Sequence, residues 1–168
     1  MKPSKPHDSM KGMFAWYLYD AMEKDPSIVV VTMDLGYGMF DAIREDFGER
    51  FYNVGASEAG GMDIAVGLAL TGKTVIAYSI TPFLLARAYE TIRNYIDHEE
   101  IPVKLIGSGR DRDYARTDGF SHDASDALGI IANFPNLVEY WPNTKEEMSW
   151  LVPNMLNNGK PTFVSLSR

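Results

Sequence analysis

The sequence predicts one α/β domain with a mostly parallel sheet flanked by helices. Short β-branched apolar runs recur without polar alternation, which is typical of strands covered on both faces. A helical pattern or a glycine-containing turn separates each run from the next. The chain has 168 residues, 45% of them hydrophobic and 23% charged, which suits a single globular domain over residues 1–168.

The first predicted element is an amphipathic helix within an N-terminal arm-and-helix segment, residues 1–25. From Asp8 to Lys24, apolar side chains recur at three- and four-residue steps. Asp8 or Ser9 can cap this helix, and Pro26 ends it. The first eight residues hold no apolar signal-like run, and no run of about 18 apolar residues occurs in the sequence. We therefore expect a cytoplasmic protein that does not span a membrane.

Strands and helices then alternate, several of them with clear end signals. The predicted strands are Ile28–Met33, Arg50–Val54, Thr74–Ile80, Val103–Ser108, Leu137–Tyr140 and Thr162–Leu166. The predicted helices are Met39–Phe47, Glu58–Thr71, Phe83–His98, Asp123–Phe134 and Lys145–Asn158. Thr144 with Glu147 forms a capping box, and Gly72 and Gly159 stand where helix ends favour left-handed residues. Pro153 is expected to kink or shorten the last helix.

Composition and motifs argue against several classes of function. A net charge of −7, from 16 Lys and Arg against 23 Asp and Glu, gives no electrostatic basis for binding nucleic acid or anionic lipid. The absence of cysteine removes disulfides, thiolate metal sites and a cysteine nucleophile. Neither a GxGxxG fingerprint nor a P-loop is present. The histidines, His7, His98 and His122, form no pair spaced for a metal site on one helix face, so none is predicted.

Residues Gly107–Ser121 form the predicted functional loop. This irregular stretch carries three arginines, three aspartates and three glycines between a buried strand and a helix. In an open parallel sheet, loops at the carboxyl ends of strands bind ligands. His122 ends the loop beside Asp118, and residue chemistry alone leaves a functional and a solvated or capping histidine equally open.

Glu58 is the second candidate feature, because it opens a helix whose following turns are nearly all small or apolar. A carboxylate in a first helical turn is stabilised by the helix dipole, and that structural explanation is sufficient by itself. Such an apolar helix is nevertheless expected to be buried and to approach a neighbour closely. A carboxyl group in the first turn of such a helix would be desolvated. Desolvation would raise the pKa of the carboxyl toward a value useful for proton exchange.

Five ordered blocks of sequence carry a family resemblance. They are Asp34–Gly36, Arg50–Ala59 with Gly67–Ala69, Phe83–Asn94, Thr117–His122 and Leu166–Arg168. In order and spacing they resemble the pyrimidine-binding domain of transketolase, and 1-deoxyxylulose 5-phosphate synthase has similar blocks. The resemblance covers nearly all of the chain after Ile28. It implies a thiamine diphosphate enzyme whose active site lies between two types of domain.

The resemblance also implies roles for the residues around the cofactor. Glu58 matches the catalytic glutamate that hydrogen-bonds the aminopyrimidine ring and so helps the cofactor to form its nucleophile. Phe83 matches the aromatic side chain that packs on this ring, and Asp34 and Arg87 match neighbouring cofactor-binding positions. Without the resemblance, the sequence favours Phe83 as an ordinary core residue. Arg87 could then equally pair with Glu90 or with another carboxylate.

Substrate-binding residues are implied in the same way. Asp118 and His122 match the pair that contacts the hydroxyls and carbonyl of a sugar, with His122 in a catalytic role. Arg110 stands near the position of a family histidine, and Arg168 matches an arginine that reaches a substrate phosphate. Residues Ala115–Gly119 depart from the usual Gly-Glu-Asp-Gly run. The extra arginines could hold a phosphate or a carboxylate, so substrate preference is expected to differ.

The diphosphate-binding motif of the family, Gly-Asp-Gly with a downstream asparagine, does not occur in this sequence. The resemblance therefore implies a separate diphosphate-binding subunit that holds Mg²⁺, with a heterotetramer as the expected assembly and a homodimer of this chain also possible. The expected activity is ketol transfer between sugar phosphates or related carbonyl compounds. A split 2-oxo acid decarboxylase or synthase and a non-catalytic binding or regulatory domain remain alternatives.

Overall fold

A six-stranded sheet with parallel neighbours forms the centre of the computed structural model, which describes residues 2 and 4–168. The strand order is β2-β1-β3-β4-β6-β5. The strands are β1 (Ile28–Thr32), β2 (Phe51–Asn53), β3 (Thr74–Ile80), β4 (Lys104–Ser108), β5 (Val138–Tyr140) and β6 (Thr162–Leu166). In register, Val30 lies opposite Phe51 on one side and Ile76 on the other. The predicted α/β class is confirmed.

Helices cover both faces of this sheet. They are α1 (Met10–Lys24), α2 (Asp41–Asp46), α3 (Glu58–Leu70), α4 (Tyr89–Thr91), α5 (Ala115–Asp118), α6 (Ala127–Ile131) and α7 (Met148–Asn157). Val29 and Val31 pack into the core under α3 and α6, whereas Ile28 and Val30 pack into the core under α1 and α7. Because alternate side chains of β1 enter two different cores, its sequence is continuously apolar.

The end signals of the first and last helices act as expected. The side chain of Ser9 accepts the backbone N–H of Gly12 (3.1 Å) and so caps α1. The predicted capping box of Thr144 and Glu147 is present. Helix α7 continues through Pro153 to Asn157, so the proline does not shorten it. The buried side chains of α7, which are Met148, Leu151, Val152 and Met155, fix the helix in the core despite the lost backbone hydrogen bond.

The predicted regular helix Phe83–His98 is wrong in detail. Two π-helical segments, Phe83–Arg87 and Ile92–Asp97, flank α4. A π turn fits one more residue than an α turn. Leu84 and Leu85 are thereby both fully buried, while Phe83 and Arg87 reach the carboxyl edge of the sheet.

The segment after β4 also differs from the prediction. Short helical turns, α5 and the 3-10 turn Phe120–His122, lie inside the expected irregular loop. The expected helix Asp123–Phe134 is reduced to α6, because Ala124 forms a β-bridge in which its backbone N–H donates to the carbonyl of Asp111 (2.7 Å). Within the described part of the chain, no helix has the length and apolar character needed to cross a membrane.

Candidate functional site

The strand order produces a crevice at the carboxyl ends of β1 and β3. From β1 the chain continues to β2 on one side, and from β3 it continues to β4 on the other. Ligands of open α/β sheets bind where connections diverge in this way. A pocket of about 140 Å³ lies there. Its lining residues are Met33, Asp34, Leu35, Ala56, Glu58, Ser79, Ile80, Phe83 and Arg87.

Glu58 is the buried carboxylate of this pocket. It is the first residue of α3 and only 5% exposed. Close packing of α3 on the sheet sets its position, since a Cβ on Gly61 would lie 2.7 Å from Cε of Met33. Nη1 of Arg87 donates to both carboxylate oxygens, at 3.0 Å and 2.9 Å. The structure therefore pairs Arg87 with Glu58, whereas the sequence alone leaves Glu90 equally open as its partner.

Phe83 joins this ion pair to His122. The guanidinium carbon of Arg87 lies 3.8 Å from the centroid of the Phe83 ring, a cation–π contact. The rings of Phe83 and His122 are 4.8 Å apart at an angle of 65°. Nδ1 of His122 lies 3.1 Å from Oγ of Ser121, within hydrogen-bonding distance. Nε2 is the ring nitrogen that does not face Ser121. Glu58, Arg87, Phe83 and His122 thus form one continuous series of contacts.

Asp34 lines the same pocket from the end of β1. It has a positive φ of 54°, which few residues other than glycine adopt. Oδ1 of Asn53 accepts the backbone N–H groups of Asp34 (3.0 Å) and Gly55 (3.1 Å) and holds this conformation. The hydroxyl of Tyr37 donates to the Asp34 carboxylate (2.6 Å), and this hydrogen bond raises the pKa of Tyr37 above its ordinary value. Sequence reasoning did not single out Asn53 or Tyr37, although Asn53 belongs to the block Arg50–Ala59.

Arg110 does not line the pocket, because its guanidinium is used inside the chain. Nη2 donates to the carbonyls of Pro142 (2.8 Å) and Ser165 (2.7 Å), and Nε donates to Oγ of Ser165 (3.2 Å). The guanidinium also lies 5.6 Å from the Trp141 ring. These contacts tie the loop after β4 to the β5 and β6 end of the sheet.

Arg168 and Asp118 lie outside the pocket as well. The guanidinium of Arg168 is 5.2 Å from the ring of Tyr114, whose hydroxyl accepts from Nζ of Lys11 (2.7 Å). Asp118 is exposed and accepts from the hydroxyl of Thr117 (2.8 Å). Sequence reasoning missed the contact of Lys11 with Tyr114, because 103 residues separate the two along the chain.

The donor set of the pocket fits an aminopyrimidine ring. A buried carboxylate suits a hydrogen-bonding nitrogen heterocycle, and the adjacent phenyl ring supplies a flat apolar face. Among residues 2 and 4–168, no three His, Asp or Glu side chains lie together as a metal-binding group would require.

Comparison with known proteins identifies the family. Residues 9–168 match the family described as "Transketolase, pyrimidine binding domain". One of the subunits of the apulose-4-phosphate transketolase of Actinobacillus succinogenes is 28% identical over 122 residues, which are 73% of this chain and 39% of that protein. The 6-deoxy-6-sulfo-D-fructose transketolase subunit SqwH of Clostridium sp. is 26% identical over 152 residues, covering 90% of this chain and 47% of that protein.

A solved structure is similar over nearly the whole chain. The structure described as "Split gene transketolase, inactive beta4 tetramer" has a TM-score of 0.83 and 26% identity, covering 96% of this chain and 52% of that one. The chain thus spans about half, or less, of the length of these relatives. With its strand order, its switch-point pocket and this match, the chain belongs to the transketolase pyrimidine-binding domain family.

Proposed function

We propose that this chain is the pyrimidine-binding subunit of a two-chain, thiamine diphosphate-dependent transketolase-like enzyme. Its reaction is the transfer of a ketol unit between sugar phosphates or related carbonyl compounds. The observation that carries the proposal is the buried carboxylate of Glu58 beside the Phe83 ring, at the switch point of a chain of this family. The names of two relatives, each a transketolase subunit, support it.

The roles of the chain's own residues follow from their positions. Thiamine diphosphate, when bound, supplies the nucleophilic carbon that attacks the ketose carbonyl. Glu58 would hydrogen-bond the aminopyrimidine ring, and Phe83 would pack on its flat face. Asp34 would bound the ring from the end of β1. His122 would exchange a proton with the substrate through Nε2, since Nδ1 faces Ser121.

The proposed assembly divides the cofactor between two kinds of chain. The partner chain would hold the diphosphate and Mg²⁺, because the Gly-Asp-Gly run with its downstream asparagine does not occur in this sequence. A heterotetramer with two copies of each chain places every cofactor between unlike chains. A homodimer of this chain is the alternative assembly, and one structural relative is described as an inactive beta4 tetramer. A cytoplasmic location stays a prediction.

Asp118 and His122 are the proposed contacts to the sugar. His122 lies against Phe83, and Asp118 is four residues earlier in the same loop. The two named relatives act on sugars that carry a phosphate or a sulfonate. Arg168 remains the proposed contact to such an anion, with Lys11 nearby through Tyr114. Arg110 keeps its proposed substrate role only if its guanidinium can leave Pro142 and Ser165.

The decisive variant is Glu58→Gln, assembled with a diphosphate-binding chain and assayed for ketol transfer from a ketose phosphate. We expect turnover to fall about 10²- to 10⁴-fold, because the glutamine cannot provide the proton of a carboxyl group. Glu90→Gln is the matched control, an exposed glutamate on α4, and its turnover should be unchanged. Full turnover in Glu58→Gln would defeat the proposal. Release of CO₂ from 2-oxo acids, measured on the same assembly, would instead favour a decarboxylase.

A further inference from the structure

The guanidinium of Arg87 fills the space between Glu58 and Phe83. It is a flat cation that lies 3.8 Å from the Phe83 ring centroid, at van der Waals distance. One of its nitrogens reaches both oxygens of Glu58 at hydrogen-bonding distance. These are the two contacts that the proposed function assigns to the aminopyrimidine ring, which would stack on Phe83 and hydrogen-bond Glu58.

We infer that Arg87, which the family resemblance implies as a cofactor-binding residue, is instead an internal competitor of the cofactor: its guanidinium occupies the position of the aminopyrimidine and must move away before the ring enters. The inference rests on the proposed function, since it takes Glu58 and Phe83 as the contacts of the ring. Two flat groups cannot lie on the same face of Phe83 at the same distance. His122 already packs against this phenyl ring as well, with the ring centroids 4.8 Å apart.

The difference in burial between Arg87 and Glu58 determines which of the two side chains can move. The side chain of Glu58 is 5% exposed, whereas that of Arg87 is 49% exposed, so the arginine can turn into solvent while the carboxylate stays inside. A buried carboxylate that loses its partner is costly unless another donor replaces it. Departure of Arg87 is therefore coupled to arrival of a ring that satisfies Glu58. Until then, the pocket measures only about 140 Å³.

The π-helical segment Phe83–Arg87 sets up this competition. Both side chains at its two ends line the pocket, and the two residues between them that point to the core, Leu84 and Leu85, are fully buried. Phe83 and Arg87 are four residues apart on this segment, and the arginine lies over the phenyl ring at 3.8 Å from its centroid. A ligand that binds only the state with Arg87 displaced has an apparent affinity lowered by the population of that state.

Thiamine is the probe for this inference, because it carries the aminopyrimidine without the diphosphate. The 168-residue chain is titrated with thiamine by calorimetry, as wild type, Arg87→Met and Arg93→Met. Arg87→Met should bind thiamine at least about tenfold more tightly than wild type, because the competing guanidinium is gone. Arg93→Met is the matched control on the same helical stretch, where Nη1 of Arg93 donates to Asn94, and it should bind like wild type. Equal or weaker binding by Arg87→Met overturns the inference.

A second readout follows the guanidinium itself. With ¹⁵N-labelled arginine, the Nε–H signal of Arg87, assigned by its loss in Arg87→Met, should shift when thiamine is added to the wild-type chain. An unmoved signal at saturating thiamine also overturns the inference. The proposed function fails separately, through retained turnover of assembled Glu58→Gln. If Glu58→Gln is inactive and Arg87→Met binds no more tightly, the proposed function stands and only the competition is wrong.

Discussion

The side chain of Arg110 fixes the loop after β4 to the β5 and β6 end of the sheet. Its three hydrogen bonds, to the carbonyls of Pro142 and Ser165 and to the hydroxyl of Ser165, join loops that are distant along the chain. Lysine carries the same charge but cannot reproduce the planar, multiply donating guanidinium. The consequences of Arg110→Lys therefore separate a structural role from a substrate-binding role.

We expect Arg110→Lys to lower the free energy of unfolding by about 1–3 kcal/mol, measured by urea denaturation. Arg112→Lys is the matched control. Arg112 is 73% exposed at the side chain and makes one ion pair, with Asp123, so its replacement should cost at most about 0.5 kcal/mol. If both variants are equally stable while the assembled Arg110→Lys enzyme needs more sugar phosphate for half-maximal rate, Arg110 binds substrate instead.

The sequence names several of the residues that line the pocket, but it does not show how they pair. Glu58, Phe83, Arg87 and Asp34 line one pocket, and His122 contacts Phe83. All five were named from ordered blocks of sequence. Arg87 pairs with Glu58 and not with Glu90. This pairing depends on tertiary packing, which cannot be read from a local sequence pattern. Asn53 and Tyr37 were missed for the same reason, since each acts by holding Asp34.

Helix α3 is the element that positions Glu58, and its glycines are not equivalent. A Cβ on Gly61 would lie 2.7 Å from Cε of Met33 and 2.9 Å from Cγ2 of Val54, whereas a Cβ on Gly67 would meet nothing within 4 Å. Gly61→Val should therefore lower the free energy of unfolding by about 1–3 kcal/mol through overpacking. Gly67→Ala should raise it by about 0.5–1 kcal/mol, because alanine restricts the unfolded chain.

Urea denaturation of the 168-residue chain tests this pair. A Gly61→Val protein as stable as wild type would show that α3 can shift away from the sheet. In that case the assembled enzyme should still lose turnover, because Glu58 moves with the first turn of α3. Preserved stability together with preserved turnover would contradict the close packing on which the position of Glu58 depends.

At the level of elements, apolar pattern predicted the strands well and one helical stretch poorly. Buried β-branched runs bounded by turns mark β1, β3, β4 and β6, and the observed ends differ from the predicted ones by one residue or less. The stretch Phe83–His98 satisfies a regular helical pattern. The structure instead has π turns at Phe83–Arg87 and Ile92–Asp97, and Leu84 and Leu85, adjacent in sequence, are both buried. Their burial comes from packing against the sheet, which a helical period cannot reveal.

For the molecule as a whole, we expect Lys104 to make the free energy of unfolding depend on pH. It lies at the start of β4, is 1% exposed, and donates to Oδ1 of Asn158 (2.7 Å) and the carbonyl of Lys160 (2.6 Å). Burial lowers the pKa of Lys104 to about 8 from an ordinary 10.5. Between these two values the unfolded chain keeps a proton that the folded chain has lost, so the free energy of unfolding rises with pH.

The free energy of unfolding should rise by a few kcal/mol between the two pKa values of Lys104, about 8 and 10.5, which is about 1.4 kcal/mol for each pKa unit. Urea denaturation at pH 8 and pH 9.5 measures it, and Lys104→Met should remove the difference between the two values. Tyr19 should have the opposite effect, because its hydrogen bond to Asp46 raises the pKa of Tyr19 from an ordinary 10.0 to about 12. Between these two values the folded chain keeps a proton that the unfolded chain has lost, so the free energy of unfolding falls as pH rises. An unchanged slope in Lys104→Met would assign the pH dependence to other groups.

In the proposed assembly, the outer face of α3 would lie beside the cofactor site. Ile64 and Leu70 are 45% and 70% exposed, and this helix begins at Glu58, so a chain that completes the cofactor site can cover both. Ile64→Glu should abolish co-elution with a diphosphate-binding chain and leave the thermal midpoint unchanged, because the charge would be buried on assembly. Trp150→Glu, at 46% exposure on α7 across the sheet, should still assemble. If Ile64→Glu assembles and turns over normally, the diphosphate-binding chain docks elsewhere.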